Sequence, residues 1–218
     1  MTDRAPRPIG IYGGTFDPIH YGHLRTALEL RAALGLAEVR FVPCANPPHR
    51  AAPMTRGPVR LQMVEAAVRG VAGFVADDRE LARDGPSYTI DTLASFRAEY
   101  SARPLCLLVG MDAFLGLPLW HRWRELLDLA HVVVAHRPGW TAPSTGVLGD
   151  LVAAHRAPRA AELAVSPAGR IYVHAVTQLE ISSTDLRASI RAGSDPMFLM
   201  PDSVRQIIVE TECYAESR

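Results

Sequence analysis

The chain alternates between short apolar runs and longer stretches in which apolar residues recur at the spacing of an amphipathic helix. Six apolar runs predict buried strands, at Ile9–Tyr12, Val39–Pro43, Phe74–Ala76, Leu105–Val109, Val132–Ala135 and Ile171–Val173. Strand-like runs that alternate with helical patterns are typical of a parallel sheet covered on both faces. The pattern therefore predicts an α/β fold with a mainly parallel sheet and helices on both of its faces.

Helical periodicity fills the segments between most of these strands. It predicts helices at Tyr21–Leu34 and Val59–Arg69, a third capped by Ser87 or Thr89, a short one at Leu148–His155, and two near the end, at Thr184–Arg191 and Asp202–Glu210. Gly35 and Gly70 follow the first two helices, and glycine is the usual residue just beyond a helix C-terminus. We expect one domain over 1–218, with a peripheral excursion at about 138–169 and a C-terminal helical portion at about 184–212.

Composition favours a water-soluble enzyme. Of the 218 residues 48% are hydrophobic, which is enough for one substantial core. Lys and Arg together number 23, as do Asp and Glu, so no global charge favours nucleic acid or a membrane surface as a partner. Three distant cysteines, with no C-x-x-C pair, predict no disulfide framework and fit a reducing cytoplasm. We find no signal peptide and no apolar run of about 18 residues that would span a bilayer.

The segment between the first strand and the first helix carries the strongest chemical signal. Gly13, Gly14 and Thr15 follow the apolar run Ile9–Tyr12 directly. Glycines there allow close approach to the backbone and a positive φ. The first amides of the following helix are unpaired donors at the positive end of its dipole. We therefore expect this turn to bind phosphate.

Two histidines lie three residues apart at the start of that helix. If the helix begins near Ile19, the rings of His20 and His23 leave the same face of its first turn and reach one anion. Gly22 between them has no side chain and lets a nucleotide lie close to the backbone. The same spacing also suits a helix cap, whereas zinc-binding histidines on a helix usually lie four apart and need further ligands nearby.

A second polar segment, late in the chain, repeats this logic. Ser182, Ser183 and Thr184 stand between a strand and a helix, where their hydroxyls could simply cap free amides. Arg187 lies one turn into that helix, where its guanidinium can bind phosphate oxygens beside those amides. Phosphate binding and simple capping both remain open on this evidence alone.

Taken together, the two segments resemble the (H/T)-x-G-H and I-S-S-T-x-(I/L)-R signatures of the nucleotidyltransferase superfamily, in the expected order. The resemblance implies a Rossmann-like, doubly wound α/β fold and Mg²⁺ bound mainly through ATP phosphates. It also implies catalytic roles for His20, His23 and Arg187, and ATP contacts from Gly13, Gly14, Thr15, Gly22, Gly110, Ser182, Ser183 and Thr184.

The middle of the chain narrows the resemblance to one family, the bacterial nicotinate-mononucleotide adenylyltransferases. This resemblance covers nearly all of the chain from Ile9 to Ile208. The loop from Pro43 to Arg50 resembles their P-x-x-x-P-P-H-(K/R) loop, which implies that His49 and Arg50 bring positive charge to the phosphates. Two adjacent prolines stiffen such a loop and lower the cost of ordering it. The chain has Cys44 where many relatives have Asn, and Asn46 is a candidate replacement for the missing amide.

The resemblance also implies a site for the pyridine ring. Tyr88 and Thr89 belong to an S-Y-T-x-x-T-L element, in which backbone amides at a helix start receive the nicotinate carboxylate. A carboxylate accepts hydrogen bonds from two N–H groups, whereas the NH₂ of nicotinamide would meet them donor to donor. Since an unpaired buried polar group costs about 1 to 3 kcal/mol, this site should prefer the acid.

Three further residues complete the implied acceptor site. Asp112 follows an apolar strand in a G-x-D element and is implied to contact a ribose or to lie near magnesium, although Asp is also a common N-cap. Trp120 is implied to stack on the ring and Trp123 to pack in the core, as L-P-x-W-x-x-W suggests. Arg137 is implied to pair with the mononucleotide phosphate; without the resemblance it is an Arg in a solvated turn.

The implied reaction is adenylyl transfer from ATP to nicotinate mononucleotide. Three alternatives remain at this point: a nicotinamide-mononucleotide adenylyltransferase, a pantetheine-phosphate adenylyltransferase, and a nucleotide-binding regulator without turnover. The first differs in how it meets the ring substituent. The second is usually shorter and gives no reason for the Ser-Tyr-Thr and Leu-Pro-x-Trp elements, and the intact histidines and Arg187 speak against the third.

Overall fold

A single parallel sheet organises the chain. The structure is a computed structural model that describes residues 6–48, 52–136, 142–177 and 179–215. Its six strands are β1 (Ile9–Gly14), β2 (Glu38–Pro43), β3 (Phe74–Ala76), β4 (Leu105–Gly110), β5 (His131–His136) and β6 (Ile171–Ala175), in the order β3-β2-β1-β4-β5-β6. All neighbouring strands are parallel. The six predicted strands are therefore confirmed, and five of them extend one or more residues beyond the predicted bounds.

Alternation along the central strands explains why helices cover both faces. In β4, Leu105 and Leu107 belong to one buried apolar cluster, whereas Cys106 and Leu108 belong to the other. Successive side chains of a strand point to opposite faces, so an apolar run of this kind needs a helical layer on each side. The doubly wound, Rossmann-like α/β fold is confirmed.

Six of the eight helices in the described residues lie close to their predicted positions, whereas the short ones at Met111–Leu115 and Leu126–Leu129 were not predicted. The eight are α1 (Tyr21–Ala33), α2 (Gly57–Val68), α3 (Thr89–Glu99), α4 (Met111–Leu115), α5 (Leu126–Leu129), α6 (Gly146–His155), α7 (Ser183–Arg191) and α8 (Asp202–Thr211), with short 3₁₀ segments at Leu117–Leu119, Trp123–Glu125 and Ala160–Ala164. Gly35 and Gly70 have φ of +61° and +77°, as expected beyond a helix end. In the part of the chain that the structure describes, no helix is both long and apolar enough to cross a bilayer.

The strand order opens a crevice at the carboxyl end of β1. The chain leaves β1 toward β2 on one side and reaches β4 on the other, which makes this the switch point where α/β sheets bind ligands. β1 pairs with β2 as far as Gly14, but with β4 only as far as Ile11. The last residues of β1 and β4 are therefore left beside an open crevice.

Candidate active site

The loop after β1 takes its shape from a phenylalanine as well as from its glycines. Gly13 and Gly14 would allow a positive φ, but neither adopts one, and the left-handed residue of this loop is Phe16, with φ of +47°. A Cβ on Gly14 would lie 2.9 Å from the Phe16 ring, which is buried. A Cβ on Gly13 would meet no atom of the described residues within 4 Å. Gly14 thus makes room for Phe16, whereas Gly13 borders open space.

The two histidines form the N-terminal cap of α1. The helix begins at Tyr21, as predicted, so His20 is its N-cap residue. The Gly22 amide donates to His20 Nδ1 at 3.1 Å, and the His20 amide donates to His23 Nδ1 at 3.4 Å. The ring centroids lie 3.8 Å apart. Capping and the predicted proximity of the two rings therefore coexist.

This cap fixes the chemical state that both rings present. Because each Nδ1 accepts a backbone N–H, a neutral ring carries its proton on Nε2 and donates from there. Burial lowers the pKa of His20 to about 4. Burial, together with the neighbouring His20, also lowers the pKa of His23 well below its ordinary value. At neutral pH the free protein therefore has two uncharged N–H donors here and not two cations.

Glycine at position 22 has a structural role that sequence reasoning missed. A Cβ at this position would lie 2.9 Å from the His20 ring and 3.5 Å from the Ile181 carbonyl oxygen. The missing side chain makes room for the His20 ring and for the chain that enters α7. Gly22 does not line either of the two cavities described below, although it was predicted to let a nucleotide approach the backbone.

The late segment packs directly against the β1 loop. Ser182 caps α7 by accepting from the Asp185 amide, and Ser183 Oγ donates to the Pro18 carbonyl at 3.0 Å. Arg187 donates to the Asp17 carbonyl at 2.8 Å. Two motifs about 160 residues apart in sequence are therefore in hydrogen-bond contact.

These segments enclose what we call the first cavity, of about 360 Å³. It is lined by Tyr12, Gly13, Gly14, Thr15, Phe16, Asp17, His23, Ala52, Pro53, Met54, Ser183, Thr184 and Arg187. The imidazole of His23 and the guanidinium of Arg187 thus share one space, as the sequence predicted. His20 lies behind His23, only 4% exposed, and does not line this cavity.

A second cavity, of about 340 Å³, adjoins the first. It shares Tyr12, Gly13, Gly14 and Thr15 with the first cavity and adds Cys44, Pro47, Pro48, Ser87, Thr89, Leu108, Val109, Gly110, Asp112, Ala113, Gly116, Leu119 and Trp120. The end of β1 is therefore the common wall of two spaces. Gly110, predicted as an ATP contact, lies on this second side.

The predicted ring-binding residues divide between the second cavity and its surroundings. Trp120 is half-buried on the cavity wall, and Trp123 is buried in the core, as predicted. Thr89 and Asp112 line the cavity, whereas Tyr88 does not and stacks on His121 with ring centroids 4.3 Å apart.

Ser87 has a different role from the one predicted. The N-cap of α3 is Tyr88, and no side chain caps this helix, so capping by Ser87 or Thr89 was wrong. Ser87 Oγ instead accepts from the amides of Ala45 and Asn46, at 2.9 and 3.1 Å. Asn46 Nδ2 donates to the Gly85 carbonyl, so this amide ties the loop after β2 to the loop before α3. No local pattern in the sequence predicts contacts between loops about 40 residues apart.

Three predicted site residues, His49, Arg50 and Arg137, lie outside the described residues. Their neighbours in the chain are described: Pro48 lines the second cavity, and His136 ends β5.

Asp17 is a functional candidate whose contacts the sequence did not reveal. Its carboxylate accepts from the Tyr214 hydroxyl at 2.7 Å and from the Met54 amide at 2.8 Å, and its carbonyl accepts from Arg187. Both carboxylate oxygens therefore have protein donors. Within the described ranges, Asp17 is the one carboxylate on the first cavity, and no group of three His, Cys, Asp or Glu residues could hold a metal ion.

Comparison with known proteins gives consistent matches over the whole chain. Residues 11–189 match the family model described as cytidylyltransferase-like. The "Probable nicotinate-nucleotide adenylyltransferase" of Aeromonas hydrophila is 52% identical over 207 residues, which cover 95% of this chain and 97% of that protein. A protein of the same name from Methylococcus capsulatus is 50% identical over 209 residues, covering 95% of this chain and all of that protein.

Solved structures show the same fold at low sequence identity. The Plasmodium falciparum nicotinic acid mononucleotide adenylyltransferase complexed with NaAD has a TM-score of 0.68 at 16% identity, covering 95% of this chain and 97% of that chain. The same enzyme complexed with APC has a TM-score of 0.69 with the same coverage.

Proposed function

The chain belongs to the nicotinate-nucleotide adenylyltransferase family, and we propose that it transfers the adenylyl group of ATP to nicotinate mononucleotide, in the cytoplasm, as a step of NAD biosynthesis. The products are nicotinic acid adenine dinucleotide and pyrophosphate. One observation carries this proposal: two cavities share a wall of small residues at Gly13, Gly14 and Thr15. Two substrates bound in these cavities would lie next to each other at these three residues.

ATP is assigned to the first cavity because its donors suit a polyphosphate. Arg187 brings a guanidinium, His23 offers a neutral N–H group, and the start of α7 brings amides at the positive end of a helix dipole. His20 does not line the cavity, and its proposed role is to position the His23 ring, because its amide donates to His23 Nδ1. Ser183 and Thr184 line this wall, while Ser182 and Gly22 act by shaping the helix starts. Four residues on the cavity walls remain proposed nucleotide contacts: Gly13, Gly14, Thr15 and Gly110.

Nicotinate mononucleotide is assigned to the second cavity. No side chain caps α3, whose first residue Thr89 lines this space, so its leading amides can receive a carboxylate. Trp120 offers a half-buried indole for stacking on the ring, and Asp112 an exposed carboxylate for a ribose hydroxyl. Tyr88 does not line this cavity, but packs against the apolar core and against the His121 ring. His49, Arg50 and Arg137 remain the proposed partners of the mononucleotide phosphate.

The proposed chemistry is an in-line displacement at the α-phosphorus of ATP. An oxygen of the acceptor phosphate forms the new P–O bond, the bond to the β-phosphate oxygen breaks, and pyrophosphate leaves with those electrons. The acceptor is already an anion, so no general base and no covalent intermediate are needed. The rate then depends on alignment and on stabilising charge at the leaving group, which Arg187 and the His23 N–H donor provide.

Mg²⁺ is the proposed cofactor. Because the oxygens of Asp17 are already engaged, the described part of the first cavity offers no protein cage for a metal, and this fits an ion that is held mainly by ATP phosphates. When bound, the ion supplies further positive charge to the triphosphate.

The first test compares acceptors with the full chain, ATP and Mg²⁺, with pyrophosphate release as the readout. We expect nicotinate mononucleotide to exceed nicotinamide mononucleotide in kcat/KM by about 5- to 150-fold, because an unpaired polar group costs about 1 to 3 kcal/mol. Preference for the amide or for phosphopantetheine would replace the proposed acceptor. Absence of pyrophosphate with every acceptor would favour a nucleotide-binding regulator.

A second test addresses the proposed leaving-group stabilisation. Arg187→Gln should lower kcat by about 100-fold, the usual loss when one preorganised donor to a transition state is removed. The matched control is Arg205→Gln on α8, whose guanidinium pairs with Asp195 at the surface. Similar kcat values for the two variants would remove Arg187 from the catalytic residues.

A further inference from the structure

The largest fully buried side chain of the described residues is a cation. Arg60, on the first turns of α2, is only 1% exposed. None of the ion pairs within the described ranges includes it. Its partners are three backbone carbonyls instead, of Thr15 at 2.7 Å, Cys44 at 2.6 Å and Thr55 at 2.9 Å.

These three carbonyls lie in, or next to, three different walls of the site. Thr15 lies on the wall that the two cavities share, and Cys44 lines the second cavity only. Thr55 follows Met54, which lines the first cavity only. One guanidinium therefore connects the common wall to the separate wall of each cavity.

We propose that Arg60 is a positioning residue that holds the two substrate cavities in register for in-line transfer. The inference rests on the proposed function above. A guanidinium is a rigid planar group whose N–H bonds point in fixed directions, so three carbonyls bound to it keep fixed relative positions. Loops without such a group move more easily than the elements that they connect.

The cost of burying this charge supports a role beyond filling the core. A cation removed from water is unfavourable unless hydrogen bonds satisfy it, whereas an apolar side chain would fill the same volume without that penalty. Each carbonyl binds a different nitrogen of the planar guanidinium, whereas the three N–H bonds of Lys diverge from a single nitrogen and do not reproduce that spacing. The cation also adds positive charge beneath the proposed phosphate site.

The chain offers a close control for this residue. Arg97 on α3 also donates only to backbone carbonyls, among them those of Leu129, Arg103 and Pro167. These carbonyls lie at the amino ends of β4 and β5, whereas the two cavities lie at the carboxyl ends of the strands. Arg97→Lys therefore removes the same kind of contact without touching the site.

The main test compares steady-state kinetics of Arg60→Lys and Arg97→Lys. Because a misplacement of about 1 Å can cost about 100-fold in rate, we expect Arg60→Lys to lower kcat by about 100-fold while both KM values stay within about threefold of wild type. Arg97→Lys should keep the wild-type kcat. Equal kcat in the two variants, or an effect of Arg60→Lys confined to KM, would overturn the proposal.

Chemical rescue separates positioning from global stability. Arg60→Ala leaves a space for free guanidinium, which we expect to raise kcat at least about tenfold at concentrations far below those that unfold proteins. The assay is run well below the melting temperature of the variant, so the gain cannot come from refolding. Methylammonium, which has the charge but not the planar fork, should not rescue. Equal effects of the two ions would contradict the proposal.

Hydrogen exchange tests the role of Arg60 independently of the proposed reaction. If the wild-type chain shows no adenylyl transfer, the proposed function fails, but the loops can still be compared. Amides around Thr15, Cys44 and Thr55 should exchange faster together in Arg60→Lys and not in Arg97→Lys. Unchanged exchange in these three loops would show that Arg60 does not hold them.

Discussion

Replacing His20 with asparagine should change how the stability of the protein depends on pH. The His20 imidazole is 4% exposed, and burial lowers its pKa from 6.5 to about 4. Asparagine is a favourable N-cap residue that does not titrate, so His20→Asn keeps an acceptor for the start of α1 and removes the proton-binding group.

The sign follows from which state binds the proton first. As pH falls below 6.5, His20 in the unfolded chain takes up a proton that the folded protein excludes until about pH 4. Folding therefore loses stability over this window, and the stability is fully present only above it. The difference of about 2.5 units corresponds to about 3 kcal/mol at the acid limit and to about 2 kcal/mol by pH 5.

The assay is urea unfolding at a series of pH values from 7.5 to 5, on wild type and His20→Asn. Between these limits we expect wild type to lose about 2 kcal/mol more than the variant. His23→Asn should also flatten the profile, since the pKa of His23 is lowered too, and the double variant should be the flattest. Parallel profiles for wild type and His20→Asn would refute the reasoning, as would an NMR titration of His20 near pH 6.5.

Three further substitutions test contacts around the cavities. Tyr214→Phe removes the hydroxyl that donates to Asp17 and should lower the free energy of unfolding by about 1.5 to 3 kcal/mol in urea titrations. Gly14→Ala places a methyl group 2.9 Å from the Phe16 ring and should destabilise by about 1 to 3 kcal/mol in thermal unfolding. Ser87→Ala frees two loop amides and should raise KM for the acceptor about fivefold or more, with KM for ATP unchanged, in initial-rate assays.

Strand and helix positions were predictable because their signals are local. The central strands of this parallel sheet are buried on both faces and therefore read as continuous apolar runs, even where a polar residue such as His136 extends one of them. Glycine beyond a helix end is equally local, as Gly35 and Gly70 show. Each of these features depends on residues that are close together in the sequence.

The supporting contacts of the site were not predictable because they join distant segments. Asp17 stands in the most recognisable motif of the chain, yet its partner Tyr214 lies 197 residues later. Ser87 carries the composition of a helix cap but binds amides of a loop about 40 residues earlier, because that loop lies beside it in the folded chain. The left-handed backbone conformation of Phe16 had no signal in the sequence, because the two glycines shortly before it are the residues that usually adopt a positive φ.

The two glycines at the end of β1 show how fold and function divide between neighbouring positions. β1 separates from β4 beyond Ile11, and this opens the space in which two substrates can meet. At Gly14 an added Cβ collides with Phe16, so glycine there preserves the fold of the loop. At Gly13 an added Cβ touches no atom of the described residues, and it would stand between the cavities where the proposed phosphorus–oxygen bond forms. Glycine at 14 therefore serves the loop, whereas glycine at 13 keeps open the space that the proposed reaction needs, although the sequence presents them as one Gly-Gly pair.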